Sequence, residues 1–457
     1  MTNSTKTAVR SSFSGRLGYV LAVAGSAVGL GNIWRFPYLA AKYGGGIFLL
    51  TYLILAVTFG FTLLITETAL GRKTGKSPIG AYRELGAKKL MAGGWINAVI
   101  PMLIVPYYSV IGGWVCKYLF GYLTGGAAAF TESGYFTAYV GQPLEPAFWL
   151  FLVTAAVFVV VLAGVEKGVE RVSKIMMPAL VVMAVLIAGY SITRPGALSG
   201  LKYYLVPDFS RFSLMTVVAA MGQMFYSLSI AMGILFTYGS YMKKEVDMEK
   251  SIIQVEIVDT LVAFLAGLMI IPSVFAFLGG DPDTLQAGAP LMFVTMPKVF
   301  ESMGLTGFIG ALFFLLVLIA AVTSSISLME TSVSTIHEQT GWSRGKCCGL
   351  MFAEIMVIGV PCSLGYGLWS GIKPLGMSIL DFFDFLSNSV MMPIAAICTC
   401  LLVLRVTGLK AVVDEVKLTS AFHREKAFTF CVKYLAIFFL GLILASSILS
   451  ALGVISI

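Results

Sequence analysis

The stretch Ala24-Gly25-Ser26-Ala27-Val28-Gly29-Leu30-Gly31-Asn32-Ile33-Trp34-Arg35-Phe36-Pro37 lies inside the first apolar segment of the chain. It places three glycines, an asparagine and an arginine where a lipid-facing helix would gain nothing from them. Backbone that leaves the helix at membrane depth survives only where it is buried in protein or lines a wet cavity, because hydrocarbon cannot satisfy its N–H and C=O groups. The stretch therefore predicts a broken helix beside a polar binding site.

The composition is that of a membrane protein. The chain has 457 residues, of which 58% are hydrophobic and 12% are charged, and its mean hydropathy is +0.91. No class of soluble globular protein has such a composition. A membrane span needs about 20 mostly apolar residues to cross the hydrocarbon core. Eleven segments meet that requirement, near residues 16–38, 46–71, 92–122, 146–164, 170–192, 213–240, 252–278, 305–336, 347–366, 376–404 and 430–455.

Lysine and arginine accumulate in cytoplasmic loops, so their distribution predicts the orientation of the chain. With the N-terminus inside, the cytoplasmic segments hold 23 of the 31 basic residues, the outer segments hold seven, and Lys117 lies within the third span. The net charge of +8 therefore reflects topology and does not indicate nucleic-acid binding. An odd number of spans places the C-terminus outside the cell, in a multi-pass protein of the cell membrane.

A second apolar segment is interrupted in the same way, five spans after the first. It contains Gly222-Gln223-Met224-Phe225-Tyr226-Ser227-Leu228-Ser229-Ile230-Ala231-Met232-Gly233. Paired interruptions in corresponding positions of two halves are typical of transporters built from inverted repeats, whose binding site lies at the breaks. We predict a single transporter domain over residues 1–457, with repeats at 16–192 and 213–404 and an appended helix at 430–455.

Two further spans carry polar residues at membrane depth. The eighth contains Ala320-Ala321-Val322-Thr323-Ser324-Ser325-Ile326-Ser327, and the third contains Pro106-Tyr107-Tyr108. Small and hydroxyl residues also serve helix packing in membranes, and for the eighth span alone this interpretation has equal weight. Taken together with two broken helices, the polar residues favour a binding site.

The string Gly29-Leu30-Gly31-Asn32-Ile33-Trp34-Arg35-Phe36-Pro37 resembles the signature of the neurotransmitter:sodium symporter family. Further matches, in the family's order, are Tyr107-Tyr108, Gly222-Gln223, Ser227-x-Ser229, Thr323-Ser324-Ser325 and Asp381-x-x-Asp384. The likeness covers nearly the whole chain, and the short outer loops are most similar to those of bacterial amino-acid transporters. It implies an all-α fold of eleven membrane helices in the bacterial cell membrane. Helices 1 to 5 and 6 to 10 form the inverted repeat, and helices 1 and 6 are discontinuous.

The resemblance implies two sodium sites made of oxygen atoms, some of them carbonyls that an unwound helix makes available. The first site takes the Ala27 carbonyl, the Asn32 and Ser227 side chains, a residue of the seventh span and the carboxylate of the substrate itself. The second site takes the carbonyls of Gly25, Val28 and Ala320 and the hydroxyls of Thr323 and Ser324. Because the first ion shares a ligand with the substrate, the two are expected to bind and move together.

The resemblance also implies how an organic substrate is held. Its carboxylate meets the N–H groups near Leu30 and Gly31, where the helix dipole is positive, and the Tyr108 hydroxyl. Its ammonium meets carbonyls near Ala27, Phe225 and Ser229. Amine carriers of the family have Asp where this chain has Gly29, so the acid must belong to the substrate, which favours an amino acid.

The side-chain pocket implied by the resemblance is apolar, which favours neutral hydrophobic amino acids, aliphatic and aromatic. Its residues are Val28, Ile104, Tyr108, Phe225, Tyr226, Met232, Ser325 and Leu328, for each of which simple core filling is the alternative. Met232 is adaptable in shape, which suits side chains of different sizes.

Two sets of residues are implied to close the pathway at its ends. At the outer end, Arg35 and Asp384 are intramembrane ions that are costly unless paired or wet, and Tyr108 and Tyr226 form an aromatic lid beneath them. At the inner end, the resemblance implies a latch formed by Arg10 and Glu338. Phe13 is expected to pack beneath this pair, and Tyr241 to brace it. Glu338 is also consistent with a solvated helix end.

Gly168 and Pro178 bracket the cytoplasmic end of the fifth span. Proline removes a helix hydrogen bond and glycine tolerates unwinding, so the segment either unwinds to admit water or is an ordinary kink.

Asp259 is the main departure from the family pattern. Relatives often have Asn near this position, and chloride-dependent members have Ser four residues later, where this chain has Ala263. A fixed carboxylate beside the first sodium site replaces the charge of chloride, so we expect transport without chloride. The alternative is that Asp259 only supports the ligands. When sodium leaves, a buried carboxylate is expected to take up a proton, which suggests proton export coupled to amino-acid uptake.

Other functions are less consistent with the sequence. A sodium-selective channel also uses carbonyl oxygens, but it needs neither two gates nor an organic pocket, whereas an amino-acid sensor with a transporter fold remains an alternative. An enzyme is not expected, because His337 and His423 are the only histidines and no His-Glu-x-x-His motif is present. The expected partners are an amino acid, sodium and the lipid bilayer, with no organic cofactor and no nucleic acid, in a monomer or weak homodimer.

Overall fold

Helices account for the regular structure of the protein. The computed structural model describes residues 11–279 and 288–451, and these contain no β-strand, only an isolated bridge between Gly45 and Pro207. Nine described helices are long and apolar enough to cross a bilayer, and a further pair, bent by 56°, forms one more span. The predicted all-α membrane fold is therefore confirmed.

We number the membrane helices in chain order and treat each half of a broken span separately. They are α1 (Arg16–Ala27), α2 (Gly31–Lys42), α3 (Gly46–Thr74), α4 (Lys88–Leu123), α5 (Glu145–Leu162), α6 (Val165–Ile192), α7 (Leu214–Ser227), α8 (Ile234–Ser240), α9 (Met248–Phe277), α10 (Thr306–Thr340), α11 (Arg344–Leu364), α12 (Ile379–Thr407) and α13 (Glu425–Ser450). The connecting short helices are Pro78–Glu84, Ala127–Thr131, Tyr135–Val140, Ala197–Leu205, Phe209–Arg211, Leu291–Thr295, Met296–Met303, Pro374–Gly376 and Leu409–Val416.

The number of spans differs from the predicted eleven in one respect. The predicted sixth span is present as α7 and α8, which are separated by residues 228–233 and are each too short to cross a bilayer alone. The described helices therefore support nine or ten spans by length, and the count of eleven is not confirmed.

The packing of the helices brings the two breaks together in the core. α1 packs against α6, α9 and α10, and α4 packs along α10. α3 runs beside both α7 and α8, so it bridges the second break. Residues at both breaks are buried, including Val28, Leu30, Leu228 and Ile230, each at 0% exposure. Polar backbone at the breaks is thus enclosed by protein and shielded from lipid.

Candidate functional site

The first break separates α1 from α2 at residues 28–30. Val28 has an extended backbone (φ −71°, ψ 103°), which ends α1. A side chain at Gly29 would place its Cβ 2.6 Å from the Tyr108 hydroxyl, and one at Gly31 would place it 2.4 Å from the Tyr226 ring. The two glycines therefore let tyrosines from α4 and α7 approach the open backbone.

The second break, between α7 and α8, contains an unusual backbone. Ser229 and Ala231 have φ values of 53° and 60°, which side-chain-bearing residues seldom adopt outside functional or strained sites. The Ala231 N–H donates to the buried Glu67 carboxylate, 3.1 Å from Oε1 and 3.3 Å from Oε2. Glu67 belongs to α3, so this helix holds the second break in its non-helical form.

Hydrogen bonds join one break to the other. The Ser229 hydroxyl donates to the Ser26 carbonyl at 3.0 Å, and the hydroxyls of these two serines are 3.2 Å apart. The Gln223 amide donates to the Gly31 carbonyl at 3.0 Å. The breaks therefore form one polar centre.

A buried carboxylate organises one side of this centre. Asp259 on α9 is 0% exposed. Its Oδ1 accepts from the Asn32 amide at 2.8 Å, and the Ser227 hydroxyl lies 3.1 Å from Oδ1 and 3.0 Å from Oδ2. The Tyr52 hydroxyl adds a donor 3.3 Å from Oδ2. The side chains predicted for the first sodium site are thus in contact with one another.

A second cluster of oxygen atoms lies between α1 and α10. The Ser324 hydroxyl is 3.4 Å from the Gly25 carbonyl, 3.2 Å from that of Ser26 and 3.3 Å from that of Val28. A hydroxyl has one proton and cannot satisfy three acceptors. Such an excess of converging carbonyl oxygens suits a cation.

The remaining residues predicted for the second sodium site lie on α10, where they are bonded locally. The Thr323 hydroxyl donates within its helix to Ile319 and Ala320 carbonyls, at 2.9 and 3.2 Å. The described residues hold no group of three or more His, Cys, Asp or Glu side chains placed to bind a metal. The donor sets therefore fit a hard monovalent cation better than a transition metal.

A cavity with about 360 Å³ of empty space lies between the two breaks. Most of the predicted substrate residues line it, and those that do are Ala27, Gly29, Gly31, Ile104, Tyr108, Tyr226, Ser227, Ser229, Met232 and Leu328. Val28, Leu30, Phe225 and Ser325 are buried nearby but are not among its lining residues. The Leu30 N–H donates to the Tyr108 hydroxyl at 2.9 Å, so this amide of the half-helix faces the tyrosine.

A larger, partly open cavity lies beyond Tyr108 and Tyr226, which line both spaces. Arg35 and Asp384 face this outer cavity. The described residues contain no ion pair of Arg35 within 4.0 Å, and its guanidinium lies 5.4 Å from the Tyr226 ring centre. Asp384 accepts from the Asn388 amide at 2.6 Å. Direct pairing of Arg35 with Asp384 is therefore not formed in this structure and stays a prediction.

Aromatic rings pack closely where the sequence predicts the inner gate. Phe13 is 1% exposed, makes edge-to-face contacts with Tyr238 and Tyr241, and donates its N–H to the Tyr241 carbonyl at 3.1 Å. Glu338 Oε2 accepts from the Ser77 N–H at 2.9 Å. Arg10, the predicted partner of Glu338, lies outside the described residues.

The sequence did not point to a second polar cluster at this end. The Tyr241 hydroxyl donates to Glu330 Oε1 at 2.8 Å, and Arg344 forms an ion pair with the fully buried Glu330. The carbonyl of Val161, near the end of α5, accepts from Arg344 at 2.9 Å. Glu330 thus links α8, α10 and α11, and α5 through Arg344.

The segment predicted to unwind is helical in this structure. α6 starts after Gly164 (φ +94°) with a π-helical turn, Val165–Glu170. A Cβ at Gly168 would lie 2.0 Å from the Val160 carbonyl, so this glycine allows the turn to pack on α5. Pro178 lies within the continuous helix Arg171–Ile192.

Sequence reasoning missed Ser26, Tyr52, Glu67, Glu330 and Arg344. A buried acid inside an apolar span was the available signal for Glu67 and Glu330, because such residues are usually functional. Nothing in their spacing connected them with the breaks.

Comparison with known proteins gives consistent matches along the chain. The model of the Sodium:neurotransmitter symporter family matches residues 10–132 and 138–453. The uncharacterized sodium-dependent transporter YhdH of Bacillus subtilis is 33% identical over 97% of this chain and 98% of its own length. A sodium- and chloride-dependent taurine transporter of Canis lupus familiaris is 27% identical over 83% of this chain and 68% of its own.

Among solved structures, the crystal structure of MhsT in complex with L-phenylalanine superposes with a TM-score of 0.86. It is 33% identical in sequence, and the match covers 96% of this chain and 100% of that one.

Proposed function

Because this chain belongs to the sodium:neurotransmitter symporter family, we propose that it imports neutral hydrophobic L-amino acids by alternating access. Membership makes it a sodium-coupled membrane transporter and not an enzyme. The solute, the number of ions and the independence from chloride are our proposal. The proposed orientation has the N-terminus in the cytoplasm, as the distribution of basic residues predicts.

The observation that carries the amino-acid proposal is the cavity between the two breaks. Its described lining residues include no charged side chain, and Ile104, Met232 and Leu328 give it apolar walls. With Gly29 in place of a carboxylate, a bare amine would have no anionic partner in this wall. A zwitterion brings its own acid, and its apolar side chain fits the wall. The relative MhsT was solved with L-phenylalanine, which supports the same class of solute.

We assign two sodium ions to the two oxygen clusters described above. In the first, Asn32, Ser227 and Asp259 act with the Ala27 carbonyl and the substrate carboxylate. In the second, the carbonyls of Gly25, Val28 and Ala320 act with the hydroxyls of Thr323 and Ser324. Because the solute and the first ion share ligands, binding of either one increases the affinity for the other. The inverted repeats at 16–192 and 213–404 provide the two-fold relation that alternating access uses.

The proposal is tested by uptake of labelled L-phenylalanine into proteoliposomes containing the purified full-length protein. We expect accumulation above the outside concentration with a sodium gradient and none with potassium. Unlabelled leucine, isoleucine and valine should compete, and dopamine should not. Equal uptake in both salts would contradict sodium coupling, whereas sodium-driven uptake that only a charged amino acid inhibits would contradict the solute class alone. A channel or sensor would give no accumulation against a gradient.

A further inference from the structure

A partly open polar cavity lies at the predicted outer ends of the two broken spans, where α2 ends and α7 begins. It is bordered by the turn between α2 and α3 and by the segment that runs into the first turn of α7. It shares no lining residue with the substrate cavity or the outer cavity, so it is a separate site. Its polar lining residues are Lys42, Tyr43, Tyr203, Arg211, Ser213 and Thr216, which include two basic side chains and no described acidic one.

Close packing holds the two sides of this cavity together. The Tyr203 hydroxyl donates to the Ala41 carbonyl, at the end of α2, at 2.5 Å. A Cβ at Gly44 (φ +97°) would lie 3.1 Å from Arg211 Cβ, so this glycine lets the arginine approach the turn between α2 and α3. The basic residues of the cavity are therefore held against packed backbone.

Neither basic side chain belongs to a buried ion pair. The described residues contain no acid within 4.0 Å of Lys42, whose ammonium lies 5.4 Å from the Tyr43 ring centre. Within the described chain, Arg211 pairs only with Asp208, at 3.4 Å, and both side chains are 51% exposed. An exposed pair contributes little, and Asp208 Oδ1 also accepts from the Ser210 N–H and hydroxyl. The cavity therefore carries a net positive charge.

A tyrosine of the same wall has an unused hydroxyl. The Tyr43 hydroxyl is buried, and the described residues offer it no hydrogen-bond partner. Buried hydroxyls in proteins are nearly always bonded to protein, water or a ligand. A free donor beside two cations is the lining expected of a site for an anion.

The chain around Arg211 also presents apolar side chains to the surroundings. Phe212 and Ser213 have extended backbones, so successive side chains point to opposite sides. Arg211 and Ser213 line the cavity, whereas Phe212 and Leu214 are 53% and 71% exposed. Phe209 is 72% exposed and extends this surface. Clustered exposed apolar side chains mark a surface that contacts a membrane or a partner.

We propose that this cavity binds the phosphate group of an anionic phospholipid from the leaflet at this end, the outer leaflet in the orientation proposed above. Lys42 and Arg211 donate charge-assisted hydrogen bonds to the phosphate oxygens, and Phe212 and Leu214 contact the acyl chains. The bound phosphate joins the end of α2 to the start of α7, two half-helices whose residues also line the outer cavity. The inference does not depend on which solute is carried.

Two observations favour a lipid over a free anion. The exposed apolar side chains flank the segment that carries Arg211, and only a ligand with hydrocarbon chains can bury them. The single negative charge of a phosphodiester also matches the net charge of Lys42, Arg211 and Asp208. Anionic lipid surfaces attract basic residues, and each residue contributes separately.

Native mass spectrometry of the full-length protein in detergent, titrated with dioleoyl phosphatidylglycerol, measures binding of the lipid directly. We expect Lys42→Gln and Arg211→Gln each to weaken binding about fivefold, the contribution of one basic residue near an anionic lipid surface. Lys202→Gln is the matched control, because Lys202 is an exposed lysine of the same outer segment that does not line the cavity. It should leave binding unchanged.

Hydrogen exchange of the full-length protein in nanodiscs locates the bound lipid. Adding phosphatidylglycerol to phosphatidylcholine nanodiscs should lower exchange severalfold in peptides covering 40–46 and 203–213, because a ligand stabilises the form that binds it. The double variant Lys42→Gln with Arg211→Gln should lose this protection. Inorganic phosphate, added to phosphatidylcholine nanodiscs, should give none.

Three results would overturn the proposal. Equal protection by inorganic phosphate would exclude the lipid as the occupant, and an equal loss of binding in Lys202→Gln would show attraction without a site. Protection that persists in the double variant would place the lipid elsewhere. Neither measurement uses a transported solute, so a wrong assignment of the amino acid would leave these results intact.

Discussion

A single methyl group at Gly29 tests how closely the first break is packed. The Cβ of Gly29→Ala would lie 2.6 Å from the Tyr108 hydroxyl and 3.0 Å from Ser324 Oγ. Such overpacking typically costs about 1–3 kcal/mol, so affinity for L-phenylalanine should fall by roughly tenfold or more in equilibrium binding. Gly222→Ala is the matched control, because a Cβ at Gly222 meets no atom within 4 Å. Unchanged affinity in Gly29→Ala would show that Tyr108 and Ser324 move freely.

The carboxylate of Asp259 is the basis for predicting that transport does not require chloride. It accepts hydrogen bonds from Asn32 and Ser227, and in the proposed sodium-bound state it is a negative charge beside the ion. The wild type should therefore transport equally well when chloride is replaced by gluconate. Asp259→Asn combined with Ala263→Ser should require chloride, whereas Asp414→Asn, on an exposed loop helix, should not.

The same residue underlies the proton hypothesis. Without sodium nearby, a buried carboxylate is costly and favours the protonated form. Substrate-driven alkalinisation inside vesicles loaded with a pH dye should then occur in the wild type and be lost in Asp259→Asn. Uptake by the wild type that moves no protons would end this hypothesis and leave the chloride prediction standing.

The non-helical backbone of the second break is held by a neighbouring helix, α3, through Glu67. Substitution of Glu67 tests this contact. Glu67→Ala leaves the buried Ala231 N–H without its acceptor, which typically costs about 1–3 kcal/mol. We expect weaker substrate binding and slower uptake, because Ala231 loses the bond that holds its backbone at positive φ. Glu67→Gln should restore most of both, since its amide oxygen accepts the same bond. A Gln variant as impaired as the Ala variant would indicate that the charge matters and the bond does not.

The sequence patterns predicted where the helices are broken, but not which residues hydrogen-bond to the breaks. Gly29 and Gly31 stand out because glycine and polar residues interrupt an apolar run, which is a local signal. Glu67 and Tyr52 are single polar residues on α3, and their contacts depend on tertiary packing that no spacing encodes. Likewise, Glu330 and Arg344 are 14 positions apart and meet only because α10 and α11 form a hairpin. Local breaks are thus predictable from sequence, and the groups that stabilise them are not.

In the proposed alternating-access cycle, the outer cavity closes once in each turnover. Arg35 and Asp384 face that cavity without forming an ion pair, so we predict that they pair in a different state of the cycle. Asp384→Asn should therefore slow uptake at least tenfold while changing equilibrium binding of sodium and substrate much less. Asp381→Asn, on the same cavity wall, is the control and should retain uptake. Normal turnover in Asp384→Asn would show that the pair is not part of the gate.

Sequence motifs predict which residues form the gates, but they do not predict the distances between those residues, because the distances change with the conformation of the transporter. The family resemblance predicts that Arg35 and Asp384 are partners, yet one conformation of a transporter need not contain the pair. The predicted count of eleven spans is left unconfirmed for a different reason. α7 and α8 are short because the predicted binding site lies between them. Neither helix is therefore long enough to be recognised as a membrane span by its length.

The hydrogen bonds between the two breaks have a mechanical consequence. Gln223 ties α7 to Gly31, and Ser229 ties the second break to Ser26 of α1. Neither broken helix can straighten or tilt alone without rupturing both links inside a buried centre. In the proposed alternating-access cycle, we therefore expect the two breaks to move together, because movement of one alone would break buried hydrogen bonds. Under the proposed cycle, the coupling of solute to sodium would depend on these two hydrogen bonds as well as on the residues predicted to form the gates.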